Sequence, residues 1–175
     1  MAQRKWFPGK LNLIHYLFSF EEIANMESIA NEVNAIIDKN LPALQFISED
    51  EFNFKPSPSK WSKKEILGHL IDSAQNNIRR FVVAQYDERP KIVYNQDKWV
   101  AIVNYQHYNL PDLISLWYLL NKHICQVLKS MSPEMAKRES ETEELHTLEW
   151  LAQDYIKHLL HHLHQVLDLE PVPYS

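Results

Sequence analysis

The chain has 175 residues, enough for one ordinary domain with a real core, and 45% of them are apolar, which excludes disorder. A formal charge of −5 argues against nucleic acid as a partner, and no apolar run approaches membrane-span length. One cysteine, Cys125, permits no internal disulfide, and two glycines are too few for hairpin-rich sheets or phosphate-cradling loops. The expected class is therefore all-α. The N-terminal MAQRKWFPGKLNLIHYLFSF lacks the apolar run and cleavage site of a signal peptide, so a cytoplasmic location is expected.

Four long helices are predicted. The first runs from a capping box at Ser19 and Glu22 to about Asn40, with Ile29, Val33, Ile36 and Ile37 at helical spacing and Pro42 as its stop. The second starts in WSKKEILGHL: Ser62 is the N-cap, Glu65 closes a capping box, and Trp61 and Ile66 form a hydrophobic staple. It extends to about Tyr86. The third follows Asn109, with Pro111 in its first turn, and runs to about Ser130. The fourth starts near Thr147 and ends before Pro171. Between the second and third lies a long segment, DERPKIVYNQDKWVAIVNYQHY, whose Tyr94, Trp99, Tyr105 and Tyr108 predict packing over the bundle. The charged KRESETEEL reads as a solvated loop or a helix start.

The fourth helix carries HLLHHLHQ, with four of the nine histidines. On a helical wheel, Leu151, Tyr155, Leu159, Leu163 and Val166 form the core stripe. His158 and His162 lie four apart at its margin, while His161 and His164 turn outward. An i, i+4 histidine pair can chelate one ion. His69, at the margin of the second helix and beside Gly68, supplies a third nitrogen if the two helices are neighbours; the glycine leaves room for close helix approach. Three neutral nitrogens and an open fourth position suit zinc, nickel or another late divalent ion. Spacing alone leaves two readings open: this metal site, and the commoner case of hydrogen-bonded histidines at a core margin. His15, His107, His123 and His146 are scattered and read as ordinary. Asp72, Ser73, Asn76 and Arg80 lie on or near the His69 face as candidates for orienting the histidines or contacting substrate, Arg80 through a substrate carboxylate. His161 and Gln165 are further candidates for orienting the site.

Three stretches carry a family resemblance: KWSKKEILGHLIDSAQNNIRRF, then YNQDKWV followed by NY, then TLEWLAQDYIKHLLHHLHQV. In this order the sequence resembles the DinB/YfiT-like superfamily from about Glu21 to Leu169. The resemblance implies a four-helix bundle in an up-down-down-up arrangement over residues 21–175. Residues 1–20 would be an N-terminal arm or an upstream extension. It implies a divalent metal held by His69, His158 and His162, the residues the wheel also selects. Family members with assigned activities include transferases that use a low-molecular-weight thiol, often bacillithiol, and glutathione- or mycothiol-dependent isomerases. The function expected is thiol S-transfer to an electrophilic substrate, or a related hydrolysis; a metal serves either by acidifying a thiol or a water. The alternative is a non-enzymatic metal-binding bundle used for sensing, storage or interaction, with its fourth position closed by the segment from Asp87 to Tyr108. A homodimer is expected from the apolar Leu116, Trp117, Tyr118, Leu119 and Leu120, as well as from the resemblance.

Overall fold

A computed structural model describes the backbone of residues 11–174 and the side chains of residues 26–174. Four long helices dominate: α1 (Leu11–Phe46), α3 (Lys63–Val83), α5 (Leu110–Lys129) and α7 (Leu148–Val166). Short elements link them: α2 (Glu49–Asn53), α4 (Gln96–Val103), a 3-10 turn at Tyr105–His107, α6 (Pro133–Ala136), and strands β1 (Glu139–Glu141) and β2 (Leu145–Thr147).

The helix starts are set locally. Ser62 Oγ accepts from the Glu65 amide, and the Glu65 carboxylate accepts from the Ser62 amide at 2.8 Å, so the predicted capping box forms. Asn109 caps α5 by accepting from the Asp112 amide, and Thr147 caps α7 by accepting from the Trp150 amide. The first helix departs from expectation at both ends. It begins at Leu11 and so runs through Ser19; the side chains of Ser19 and Glu22 lie outside the described residues. Of the expected arm, residues 1–10 also lie outside them, and residues 11–20 are the first turns of α1. Pro42 does not stop the helix, which continues to Phe46. Proline inside a helix costs about 3 kcal/mol. Here it stands on the solvent side one turn from the end, and the following turn buries Leu44 completely, which offsets about 1.5–3 kcal/mol.

Partner contacts give the topology. Lys122 of α5 meets Asn34 and Asp38 of α1, and Tyr118, one turn earlier, also reaches Asp38, so α1 and α5 run antiparallel. The segment before α5 returns to the start of α3: Gln106 donates to Ser62 Oγ at 2.5 Å, and Lys64 donates to the Gln106 carbonyl. Hence α3 and α5 run parallel. Lys63, at the head of α3, pairs with Asp168, at the foot of α7, so those two are antiparallel. The result is up-down-down-up.

Among the described residues the core is one cluster that includes the fully buried Trp117, Leu113, Leu159 and Leu163. The stripe predicted on α7 is buried throughout. Trp117 belongs to this core and not to an outer face, which corrects its place in the dimer argument; Leu116 and Leu119 remain exposed, at 41% and 62%. The KRESETEEL stretch forms an antiparallel hairpin in which Ser140 faces His146. The Ile92 amide donates to the Glu141 carbonyl, which docks the long segment onto this hairpin. With few glycines available, left-handed turn positions fall to Arg89, Asn104 and Asp168. No helix among the described residues is long and apolar enough to cross a membrane.

Candidate metal centre

Helices α3 and α7 pack side by side and bring His69, His158 and His162 together. One ring nitrogen from each lies within 4.8 Å of the other two. His69 Nε2 stands 3.0 Å from His158 Nε2, and the three ring centroids are 4.6–5.0 Å apart. Two imidazole nitrogens that close repel unless a proton or a cation lies between them. Nitrogens on one tetrahedral zinc, each at about 2.0–2.1 Å, would be about 3.3 Å apart, so only small ring shifts separate this arrangement from a ligand set. The donor chemistry fits as well. Burial lowers the His69 pKa to about 3 and lowers His158 and His162 too; repulsion from neighbouring histidines, His161 included, adds to the shift, and at His162 the bond to Gln165 opposes it. All three are therefore neutral at physiological pH, the form that ligates.

A hydrogen-bond relay fixes the ring of His162. The Val172 carbonyl can only accept, so His161 Nδ1–H donates to it, at 2.6 Å. His161 Nε2 then accepts from the Gln165 amide at 2.9 Å. The Gln165 carbonyl in turn accepts from His162 Nδ1–H at 2.8 Å, which leaves Nε2 of His162 with its lone pair free. On the other side, Ser73 Oγ lies 3.3 Å from His158 Nδ1. His161, Gln165 and Ser73 thus each orient a histidine of the triad, directly or through one neighbour.

His69 departs from the helical wheel: it is fully buried, not marginal. The reason is that α3 is covered on several sides. Trp61 lies over the His69 ring at 5.1 Å. Gly68 serves a different purpose from close helix approach. A Cβ there would stand 2.1 Å from the Tyr105 ring, so the glycine admits Tyr105 and not α7. Tyr105 in turn donates to Asp72 Oδ1 at 2.5 Å. Burial raises the Asp72 pKa to about 6, against the opposing effect of that hydrogen bond. Asp72 Oδ2 and His69 Nδ1 are both buried without a hydrogen-bond partner in the structure. Asn76 donates to the Asp72 carbonyl of its own helix and does not line the site. His164 is half-buried and donates to the Glu170 carbonyl at 2.6 Å, so it is less free than its outward position suggests.

A cleft of about 820 Å³ opens on the His158 and His162 edge of the triad and runs past Ser73 and Asn77 to Arg80. Its walls include residues that the sequence did not single out as site residues. Tyr94 comes from the long segment, His146 and Trp150 stack at 3.7 Å, and Tyr174 of the C-terminal tail donates to Asp154. The aromatic richness of the long segment signalled Tyr94; nothing local signalled Tyr174, which follows the helix in a Pro-containing tail. Cys125 is buried on α5 and burial raises its thiol pKa, so it is no nucleophile for this cleft.

The family model described as the DinB superfamily matches residues 34–166. The chain belongs to the DinB superfamily. This DinB-superfamily chain is 29% identical over 135 residues to a protein of Oceanobacillus iheyensis named as a candidate metal-dependent hydrolase, covering 75% of this chain and 71% of that one. It is 22% identical over 131 residues to YfiT of Bacillus subtilis, which bears a similar name, covering 73% and 74%. The solved structure of YfiT, described as a four-helix bundle of unusual topology, superposes with a TM-score of 0.66 at 18% identity over 95% of this chain and 90% of YfiT.

Proposed function

We propose that the chain is a metal-dependent enzyme that activates a nucleophile at the triad and directs it at a small molecule in the adjacent cleft. The reaction is thiol transfer from a low-molecular-weight thiol to an electrophile, or a related hydrolysis. His69, His158 and His162 would hold a divalent ion, zinc or nickel. When bound, such an ion supplies Lewis acidity, which acidifies a thiol or a water. The chain's own residues do the rest. His161 and Gln165 hold His162 in one tautomer, Ser73 holds the ring of His158, and Trp61 screens the far side of His69 from water. The names of the two relatives support the metal-dependent part of this reading.

One observation carries the proposal: three neutral imidazoles converge at the edge of a cleft in the size range of small-molecule sites. A purely structural or storage bundle needs the nitrogens and no such cleft. The test is elemental analysis of protein purified without a histidine tag, followed by thiol-transfer and hydrolysis panels on the metal-loaded chain. Stoichiometric metal that is lost in His162→Ala, together with turnover in one panel, is the expected result. Protein that neither carries nor takes up a divalent ion would sink the reading.

A further inference from the structure

Arg80 stands in the cleft wall one helical ladder away from the triad. Ser73, Asn77 and Arg80 recur at i, i+4 and i+7 on α3, and all three line the cleft. They are joined: Ser73 Oγ contacts His158 Nδ1, Asn77 Nδ2 reaches Ser73 Oγ at 3.4 Å, and Arg80 Nη1 donates to Asn77 Oδ1 at 3.3 Å. The guanidinium is held firmly by a neutral group, since Nε and Nη2 both donate to the Ile92 carbonyl, at 3.2 and 2.9 Å. Those three donors leave two of its five N–H groups, one on each terminal nitrogen, with no protein partner among the described residues. No carboxylate among them lies within ion-pair distance of it. Burial lowers its pKa on balance, against the raising effect of Tyr94, Tyr174 and the Asp154 carboxylate, which acts on it from beyond ion-pair distance.

An oriented, unpaired, partly buried guanidinium facing a ligand-sized cleft is the arrangement that recognises an anion. Asp154 lies in the same cleft, and its charge disfavours a dianion beside it. We propose that Arg80 anchors a carboxylate of the substrate and sets its length. Seven residues of helix rise, about 10 Å, separate Arg80 from Ser73, whose hydroxyl touches His158, so a carboxylate on Arg80 stands on the order of 10 Å from the head at the His158 edge of the triad. The substrate class is an extended small molecule with a reactive head at the triad and a carboxylate tail. The length, though not the anchor itself, rests on reading the triad as the metal centre.

Calorimetry on the full chain separates the two. On metal-free protein, octanoate should bind about ten-fold or more tightly than octan-1-ol, since a hydrogen bond to a charged group contributes about 1.5–3 kcal/mol. Arg80→Gln should abolish that preference and Arg80→Lys should keep part of it. Equal binding of acid and alcohol by the unmodified chain would overturn the anchor with no variant needed, as would a preference that survives in a folded Arg80→Gln. On zinc-loaded protein, 8-mercaptooctanoate, whose extended reach is about 10 Å, should gain further over octanoate, and 3-mercaptopropionate should gain less. An acid preference with no gain from the thiol would support the anchor and count against the metal-centre reading. A larger gain for the short thiol would overturn the assigned length.

Discussion

Gln165 offers the sharpest test of how the triad is held. Its carbonyl receives His162 Nδ1–H at 2.8 Å while its amide reaches His161 Nε2 at 2.9 Å. Gln165→Leu removes both bonds and roughly keeps the volume. The side chain is exposed, so the fold should lose little, within about 0.5 kcal/mol. The metal should suffer more. Without its acceptor the His162 ring can rotate or change tautomer, and removing such orienting partners typically costs 10–100-fold in metal affinity, or about 1.4–2.7 kcal/mol. Competition for zinc against a chromophoric chelator, on tag-free protein at one pH, reads this directly. Gln165→Glu keeps an acceptor for His162 Nδ1–H and should hold zinc at least as tightly as Gln165→Leu. An unchanged zinc affinity in Gln165→Leu, within two-fold, would show that the relay from Val172 to His162 does not tune the site.

His162→Ala should lower zinc affinity by orders of magnitude. His164→Ala should leave zinc affinity intact while costing about 1 kcal/mol through its lost bond to the Glu170 carbonyl, as calorimetry and thermal melts would show. Gly68→Ala forces the Tyr105 ring off α3 and breaks its bond to Asp72; a loss of about 1–3 kcal/mol in chemical denaturation is expected, and an unchanged midpoint would refute that packing. Acid should destabilise the metal-free protein through His69. Its folded pKa is about 3 against about 6.5 unfolded, so its contribution is present in full above 6.5 and is lost as pH falls toward 3, in the direction His158 and His162 also push; denaturation midpoints across that range test this. Asp72 acts oppositely, favouring the fold below about 3.8 and losing that contribution as pH rises through about 6. Leu116 and Leu119 on the outer face of α5 are the surface expected to pair in a homodimer, and a monomeric sedimentation value at tens of micromolar would count against it.

Most of the helices were legible because their signals are local. A capping serine three residues before a glutamate, a proline in a first turn and apolar residues every three or four positions act within one or two turns. The same periodicity placed His158 and His162 together, since neighbours on one helix face need no tertiary knowledge. Local signals make Pro42 a stop because its cost is local, while the burial of Leu44 that offsets part of that cost is not. The hairpin in KRESETEEL escaped notice because its charged alternation has no apolar face to reveal it; it forms against the segment around Ile92. Tertiary structure alone decided what stands beside the histidines. Gly68 could be seen as a space but not as the space for Tyr105, some 40 residues away in sequence. Tyr174 joins the cleft only because the C-terminal tail folds back along α7, held by the carbonyl bonds that His161 and His164 make to it. Helical periodicity reports which side of one helix is apolar; which distant groups meet on that side depends on how the helices pack.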